Sequence, residues 1–106
     1  MEIDISGTGV ALITPFTNNL EVDYNALEKT VNHIIEGGVE YLVVLGTTGE
    51  TVTLTADEKL KVFNHVVEVN NNRLPIVLGH GGNNTQTLLD NLSRYDLSKV
   101  QSILSV

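Results

Sequence analysis

Four runs of β-forming residues begin near positions 8, 41, 75 and 101. Their recurrence at roughly thirty residues, the size of one strand-helix-strand unit, narrows the possible folds more than any other feature of the chain. Each of the first three runs ends in a polar or glycine-rich turn and leads into an amphipathic stretch. Repeated β-α units imply a parallel sheet with right-handed crossovers. Two architectures meet that description. A doubly wound open sheet is complete near this length, whereas an eight-unit barrel takes ~250 residues, so in the second case the chain holds about three and a half units. Because its 106 residues finish on a strand with no helix after it, the incomplete (β/α)8 barrel is the expected α/β fold.

The first run, Gly7-Thr8-Gly9-Val10-Ala11-Leu12-Ile13, predicts a strand over 7–13. Thr14-Pro15-Phe16 stops it, since proline donates no ladder hydrogen bond. After the polar loop 17–21, Asp23 offers an oxygen to cap a helix whose apolar face is Tyr24, Leu27, Val31, Ile34 and Ile35. Gly37-Gly38 ends that helix. The second run, Tyr41-Leu42-Val43-Val44-Leu45, reads as a buried parallel strand entering the turn Gly46-Thr47-Thr48-Gly49-Glu50. Thr55-Ala56-Asp57-Glu58 has the form of a capping box, so a helix is expected from Ala56 with Val62, Phe63, Val66 and Val67 as its apolar stripe. Asn70-Asn71-Asn72 turns the chain into a third strand over 74–79, with Pro75 tolerated at its entry. Gly79-His80-Gly81-Gly82-Asn83-Asn84 makes a second glycine-rich turn, after which Thr85 is expected to cap a helix carrying Leu88, Leu89, Leu92 and Tyr95. A last strand is predicted over 101–106.

A hydrophobic content of 42% supports one small core. The 13 acidic residues outnumber the 6 basic ones, and a net charge of −7 argues against a nucleic-acid partner. With no cysteine, a disulfide framework, a thiol nucleophile and a thiolate zinc site are all excluded, and the composition suits a reducing cytoplasm. The opening Met1-Glu2-Ile3-Asp4 is acidic where a signal peptide is basic, and no apolar run approaches the ~18 residues of a membrane span. The expectations are a cytoplasmic location and no membrane partner.

In both architectures ligands sit where the carboxyl ends of the strands meet their loops. Thr14, Thr47, Thr48 and the segment from His80 to Asn84 fall at that end. The turn at 46–50 lacks the lysine of a P-loop and the three-glycine spacing of a dinucleotide site. Its glycines let backbone N–H groups approach a ligand, and its two threonines add hydroxyls that donate or accept, an arrangement suited to a small carboxylate. On pattern alone it serves equally as loop geometry, its hydroxyls capping the turn.

Several spaced motifs then point the same way. Gly9-Val10-Ala11-Leu12-Ile13-Thr14-Pro15-Phe16, Gly38-Val39, Gly46 to Glu50, Leu54-Thr55 followed by Glu58, and Pro75 to Gly79 with Gly82-Asn83 and Thr85 occur in the order and spacing of one family. In them the chain resembles, over nearly its whole length, the N-terminal part of the dihydrodipicolinate synthase and N-acetylneuraminate lyase family of pyruvate-dependent barrel enzymes. The resemblance implies that Thr47 is the threonine of a proton relay between two tyrosines and that Thr48, with Gly46 and Thr47, binds the pyruvate carboxylate. Thr47 in place of the serine usual in sialic-acid lyases favours the synthase branch. That branch condenses pyruvate with L-aspartate 4-semialdehyde in lysine biosynthesis, as a homo-oligomer, dimer or tetramer, without a cofactor. The alternatives are another aldolase or lyase of the family and a non-enzymatic α/β binding module.

Schiff-base chemistry needs an amine of lowered pKa within the pocket. Lys29, Lys59 and Lys61 fall within predicted helices and Lys99 enters its strand at the far end. The resemblance implies that the reactive lysine and the relay tyrosines lie beyond Val106, so the chain alone is expected to be inactive and, with strand edges open, to self-associate. Glu50 lacks the second carboxylate that acid-base work uses and reads as a loop anchor. His80 lacks partner ligands, and His33 and His65 read as helix residues, so no metal is expected. For feedback by lysine, the resemblance assigns Asn83 to an effector or interface site. Thr87 and Ala56, however, stand where an acidic residue and, in some members, a histidine would be, which argues against that inhibition.

Overall fold

The structure, a computed structural model, describes residues 4–106, so the expectation read from Met1-Glu2-Ile3 lies outside the described residues. Four parallel strands, β1 (Gly9–Ala11), β2 (Tyr41–Val44), β3 (Ile76–Gly79) and β4 (Ser102–Leu104), lie in the sheet in chain order. Between them run the helices α1 (Tyr24–Glu36), α2 (Ala56–Asn70) and α3 (Thr85–Leu92). A doubly wound sheet reverses direction at a switch point and so covers both faces. Here every crossover advances one strand in the same direction, and right-handed crossovers of that kind put all helices on one side. The order β1-β2-β3-β4 is therefore an arc of a (β/α)8 barrel.

Register and side-chain alternation assign the two faces. Val10, Leu42 and Ile76 pair in one row, and Val44, Leu78 and Ile103 in another. Leu42, Val44, Ile76 and Leu78 form one buried cluster with Leu27 and Val31 of α1 and Val62, Phe63 and Val66 of α2. The intervening row, Ala11, Val43, Val77 and Ser102, faces the barrel interior. That side is less covered: Ile13 and Leu104 remain about half exposed.

The caps explain the helix boundaries. Asp23 accepts a hydrogen bond from the Ala26 N–H at 2.9 Å, and α1 stops at Gly37, with Gly38 at φ +89°. The capping box of α2 is complete: Thr55 Oγ1 accepts from the Glu58 N–H, and the Glu58 carboxylate accepts from the Thr55 N–H. Its last residue, Asn70, is only 2% exposed. The Asn70 side-chain amide donates to Leu74 O at 2.8 Å and accepts from Leu74 N at 3.1 Å, stapling the end of α2 to the entry of β3.

Several boundaries differ from the sequence-based expectation. Asn84, not Thr85, caps α3, because its side chain accepts from the Thr87 N–H and leaves Thr85 as the first helical residue. Tyr95 lies beyond α3 rather than on it, yet is buried, with its ring edge-on to Phe63 and His80 at 5.2 and 5.7 Å. The first strand covers 9–11 rather than 7–13, because Gly7 turns at φ +92° and the Glu40 carboxylate takes the Thr8 N–H. The last covers 102–104 rather than 101–106, and β2 ends at Val44 rather than Leu45. Among the described residues no helix is long and apolar enough to cross a membrane.

Candidate functional site

The turn after β2 begins with a reversal at Leu45, whose φ of +60° is left-handed although its side chain is buried at 3% exposure. Such backbone costs a non-glycine residue about 1–2 kcal/mol, an amount that burying a leucine side chain, worth about 2 kcal/mol, offsets. Gly46 is extended, and Thr47–Gly49 forms one 3-10 turn, closed by hydrogen bonds of 2.9 Å from Gly49 N to Gly46 O and from Glu50 N to Thr47 O. Glu50 is again left-handed, at φ +56°, and a second 3-10 turn, Thr51–Thr53, carries the chain to the cap of α2.

Thr47 and Thr48 are exposed, and among the described residues neither hydroxyl has a hydrogen-bonding partner. The local capping is done by others: Thr53 Oγ1 donates to Glu50 O, and Thr55 caps α2. The two hydroxyls at the carboxyl end of β2 are thus open to a ligand, next to the sheet face that lines the barrel interior. The neighbouring strands touch this turn from both sides. Thr14, in the loop three residues past β1 and 4% exposed, donates its hydroxyl to Gly49 O at 2.7 Å. On the other side, the Gly79 Cα lies against the Leu45–Gly46 peptide.

The remaining candidates stand elsewhere. Glu50 is exposed at the junction of the two 3-10 turns, where its carbonyl accepts from both the amide and the hydroxyl of Thr53. A ring nitrogen of His80 is engaged with Leu88 O at 2.7 Å. Lys29 is on α1, Lys59 and Lys61 are on α2, and Lys99 lies in the turn before β4, so none is on the interior face with Ala11, Val43 and Val77. Asn83, Thr87 and Ala56 come together, but apart from Thr47 and Thr48. They line a cleft of about 220 Å³ beside α2 and α3, shared with the cations Lys59 and Arg94, the second of which is ion-paired with Asp57. Tyr95 closes one wall, and burial pushes its phenol above the usual tyrosine range despite the nearby Arg94.

Leu45 and Gly79 were not singled out by sequence. A glycine ending a run of β-formers, as in Ile76-Val77-Leu78-Gly79, is the signal that could have marked a close backbone approach. Leu45 carries no such mark, since leucine is unremarkable at the end of an apolar strand.

Residues 4–105 match the sequence profile of the Dihydrodipicolinate synthetase family. The chain is 56% identical over 100 residues to the 4-hydroxy-tetrahydrodipicolinate synthase of Flavobacterium psychrophilum, a span of 94% of this chain and 34% of the relative. It is 50% identical over 103 residues to that of Karelsulcia muelleri, covering 97% and 35%. Among solved structures, the chloride-inhibited dihydrodipicolinate synthase from Acinetobacter baumannii, complexed with pyruvate, aligns with a TM-score of 0.90 at 34% identity over 96% of this chain and 35% of that one. The chain spans about a third of the length of the curated relatives it matches.

Proposed function

The chain belongs to the dihydrodipicolinate synthetase family, and from that membership we propose that it supplies the N-terminal part of a single (β/α)8 barrel domain in a 4-hydroxy-tetrahydrodipicolinate synthase. In this reading the whole enzyme is a cytoplasmic homo-oligomer of the diaminopimelate route to lysine. It holds pyruvate as a Schiff base on a lysine and joins it to L-aspartate 4-semialdehyde. This chain contributes the carboxylate grip and one proton-relay hydroxyl.

The observation that carries the reading is the pair of unengaged hydroxyls on the Gly46–Gly49 turn at the carboxyl end of β2. A hydroxyl has one proton to give and two lone pairs, so Thr47 passes a proton between two phenols while remaining neutral before and after. Thr48 donates to a pyruvate carboxylate oxygen, a charge-assisted bond stronger than one between neutral groups, and needs no buried cation. The amine must come from residues other than these, because Lys29, Lys59, Lys61 and Lys99 all lie off the interior face. Thr47, where sialic-acid lyases usually have serine, supports the synthase branch. Thr87 and Ala56 in the cleft at Asn83 disfavour L-lysine as its effector, and the Asp57 carboxylate beside it is already paired with Arg94.

Two measurements test this. Borohydride reduction of the chain with pyruvate should trap no adduct, and joining the chain to the remaining two thirds of the Flavobacterium relative should give a protein that condenses pyruvate with aspartate semialdehyde. In that protein Thr48→Val should raise the KM for pyruvate. An adduct on the chain alone, or a folded joined protein without condensation, would refute the reading.

A further inference from the structure

We propose that Thr14 and Gly79 are positioning residues that clamp the Gly46–Gly49 turn from its two flanking strands, so that the aim of the Thr47 and Thr48 hydroxyls is set by the first and third strands. The importance of that aim for pyruvate rests on the function proposed above, while the clamp itself is geometric.

The turn has little to hold it by itself. It closes only two internal hydrogen bonds, and 3-10 geometry makes these poorer than α-helical ones. It is also flanked by two non-glycine residues in left-handed backbone, Leu45 and Glu50. A short segment under strain at both ends keeps its shape only where surrounding structure over-determines it.

Two contacts supply that constraint, and neither is local. Thr14 Oγ1 reaches Gly49 O at 2.7 Å across 35 residues of sequence in a buried setting, so loss of the hydroxyl leaves a buried carbonyl without its partner. At the other end of the turn, a Cβ placed on Gly79 would lie 2.2 Å from Leu45 O, 2.5 Å from Leu45 C and 2.7 Å from Gly46 N. These are backbone atoms and cannot swing aside as a side chain would. Any residue larger than glycine therefore displaces the peptide that starts the turn, by about 1 Å. A displacement of that size at reacting groups costs on the order of 100-fold in rate.

Amide hydrogen exchange on the 106-residue chain tests the clamp without reference to catalysis. Thr14→Val keeps the shape and removes the hydroxyl. It should speed exchange at the Gly49 and Glu50 amides by about tenfold while Leu42, Val44 and Leu78 keep their protection, and Thr14→Ser should restore slow exchange. Should Thr14→Val prove unfolded, Gly79→Ala provides an independent reading: its amide shifts should change at Leu45 to Thr48, with the far ends of the strands unmoved. Wild-type exchange at Gly49 and Glu50 in folded Thr14→Val, or unmoved Leu45 to Thr48 signals in Gly79→Ala, would overturn the proposal. A pyruvate titration of the same samples keeps the two ideas apart. If the wild-type Thr47 and Thr48 signals ignore pyruvate, the carboxylate grip is lost while the exchange data still decide the clamp. If Thr14→Val loses protection yet binds pyruvate as wild type does, the claim that the clamp sets the aim fails.

Discussion

Replacing Asn70 with leucine tests how much of this fold depends on a single buried side-chain amide. Leucine keeps the bulk but deletes both hydrogen bonds to Leu74, those of 2.8 and 3.1 Å. Each such bond is worth about 1 kcal/mol net, and a buried group left without a partner costs about 1–3 kcal/mol. Leu74 is half-buried, so water satisfies part of what is lost, and the expected total is about 2–3 kcal/mol. For a domain of this size that corresponds to a fall in Tm on the order of 10 °C. Urea titration followed by far-UV circular dichroism should show a lower midpoint at an unchanged slope. Asn70→Asp adds a sign. Its carboxylate still accepts from Leu74 N–H but faces Leu74 O, and burial with that facing carbonyl is expected to outweigh the nearby Arg73 guanidinium and raise its folded pKa above the unfolded value. The variant should then be most stable, relative to wild type, below about pH 3.9, where the protonated acid donates to Leu74 O, and lose stability as pH climbs toward the folded pKa. A loss below about 0.5 kcal/mol in Asn70→Leu, or a flat pH response in Asn70→Asp, would refute the account of the staple.

Other expectations follow from the same packing. Phe63→Ala empties a position with no exposure at all and should cost about 3–5 kcal/mol, enough to unfold much of the population in a urea or thermal melt. Thr55→Ala removes one half of the capping box and should cost about 1 kcal/mol, visible as a shifted midpoint. The raised pKa of Tyr95 stabilises the fold fully below the ordinary tyrosine value near 10, and this contribution is lost as pH rises through the folded pKa. Tyr95→Phe should flatten that alkaline decline in a melt series. L-lysine titrated to millimolar concentration should leave the amide signals of Asn83 and Thr87 in place, and a saturable shift would overturn the reasoning from Thr87 and Ala56.

What the sequence disclosed was set by the range of the interactions involved. Local signals carried through: Asp23, Thr55 and Glu58 cap where their spacing says, and the β-formers at 41–44 and 76–79 make strands. Asn84 and Thr85 are adjacent residues of equal capping ability, so only the side-chain bond to Thr87 N separates them. The first strand reads too long from sequence because hydrophobicity continues past the last paired residue, as at Ile13. The Thr47–Thr48 turn was legible as a motif. Its supports were not, because Thr14 meets Gly49 and Gly79 meets Leu45 only through strand pairing between distant segments. The choice between open sheet and barrel also needed the observed strand order, since β-α spacing is common to both.

That strand order has a kinetic corollary. Each strand hydrogen-bonds to the one synthesised just before it, at separations of about 25 to 34 residues. Within β1 to β4, a nascent chain leaving the ribosome therefore finds its next docking edge already built, while the outer edge of β1 stays open. Growth of the sheet resembles courses of brick laid in one direction, and the stages most exposed to misassociation are those in which the newest course is still bare.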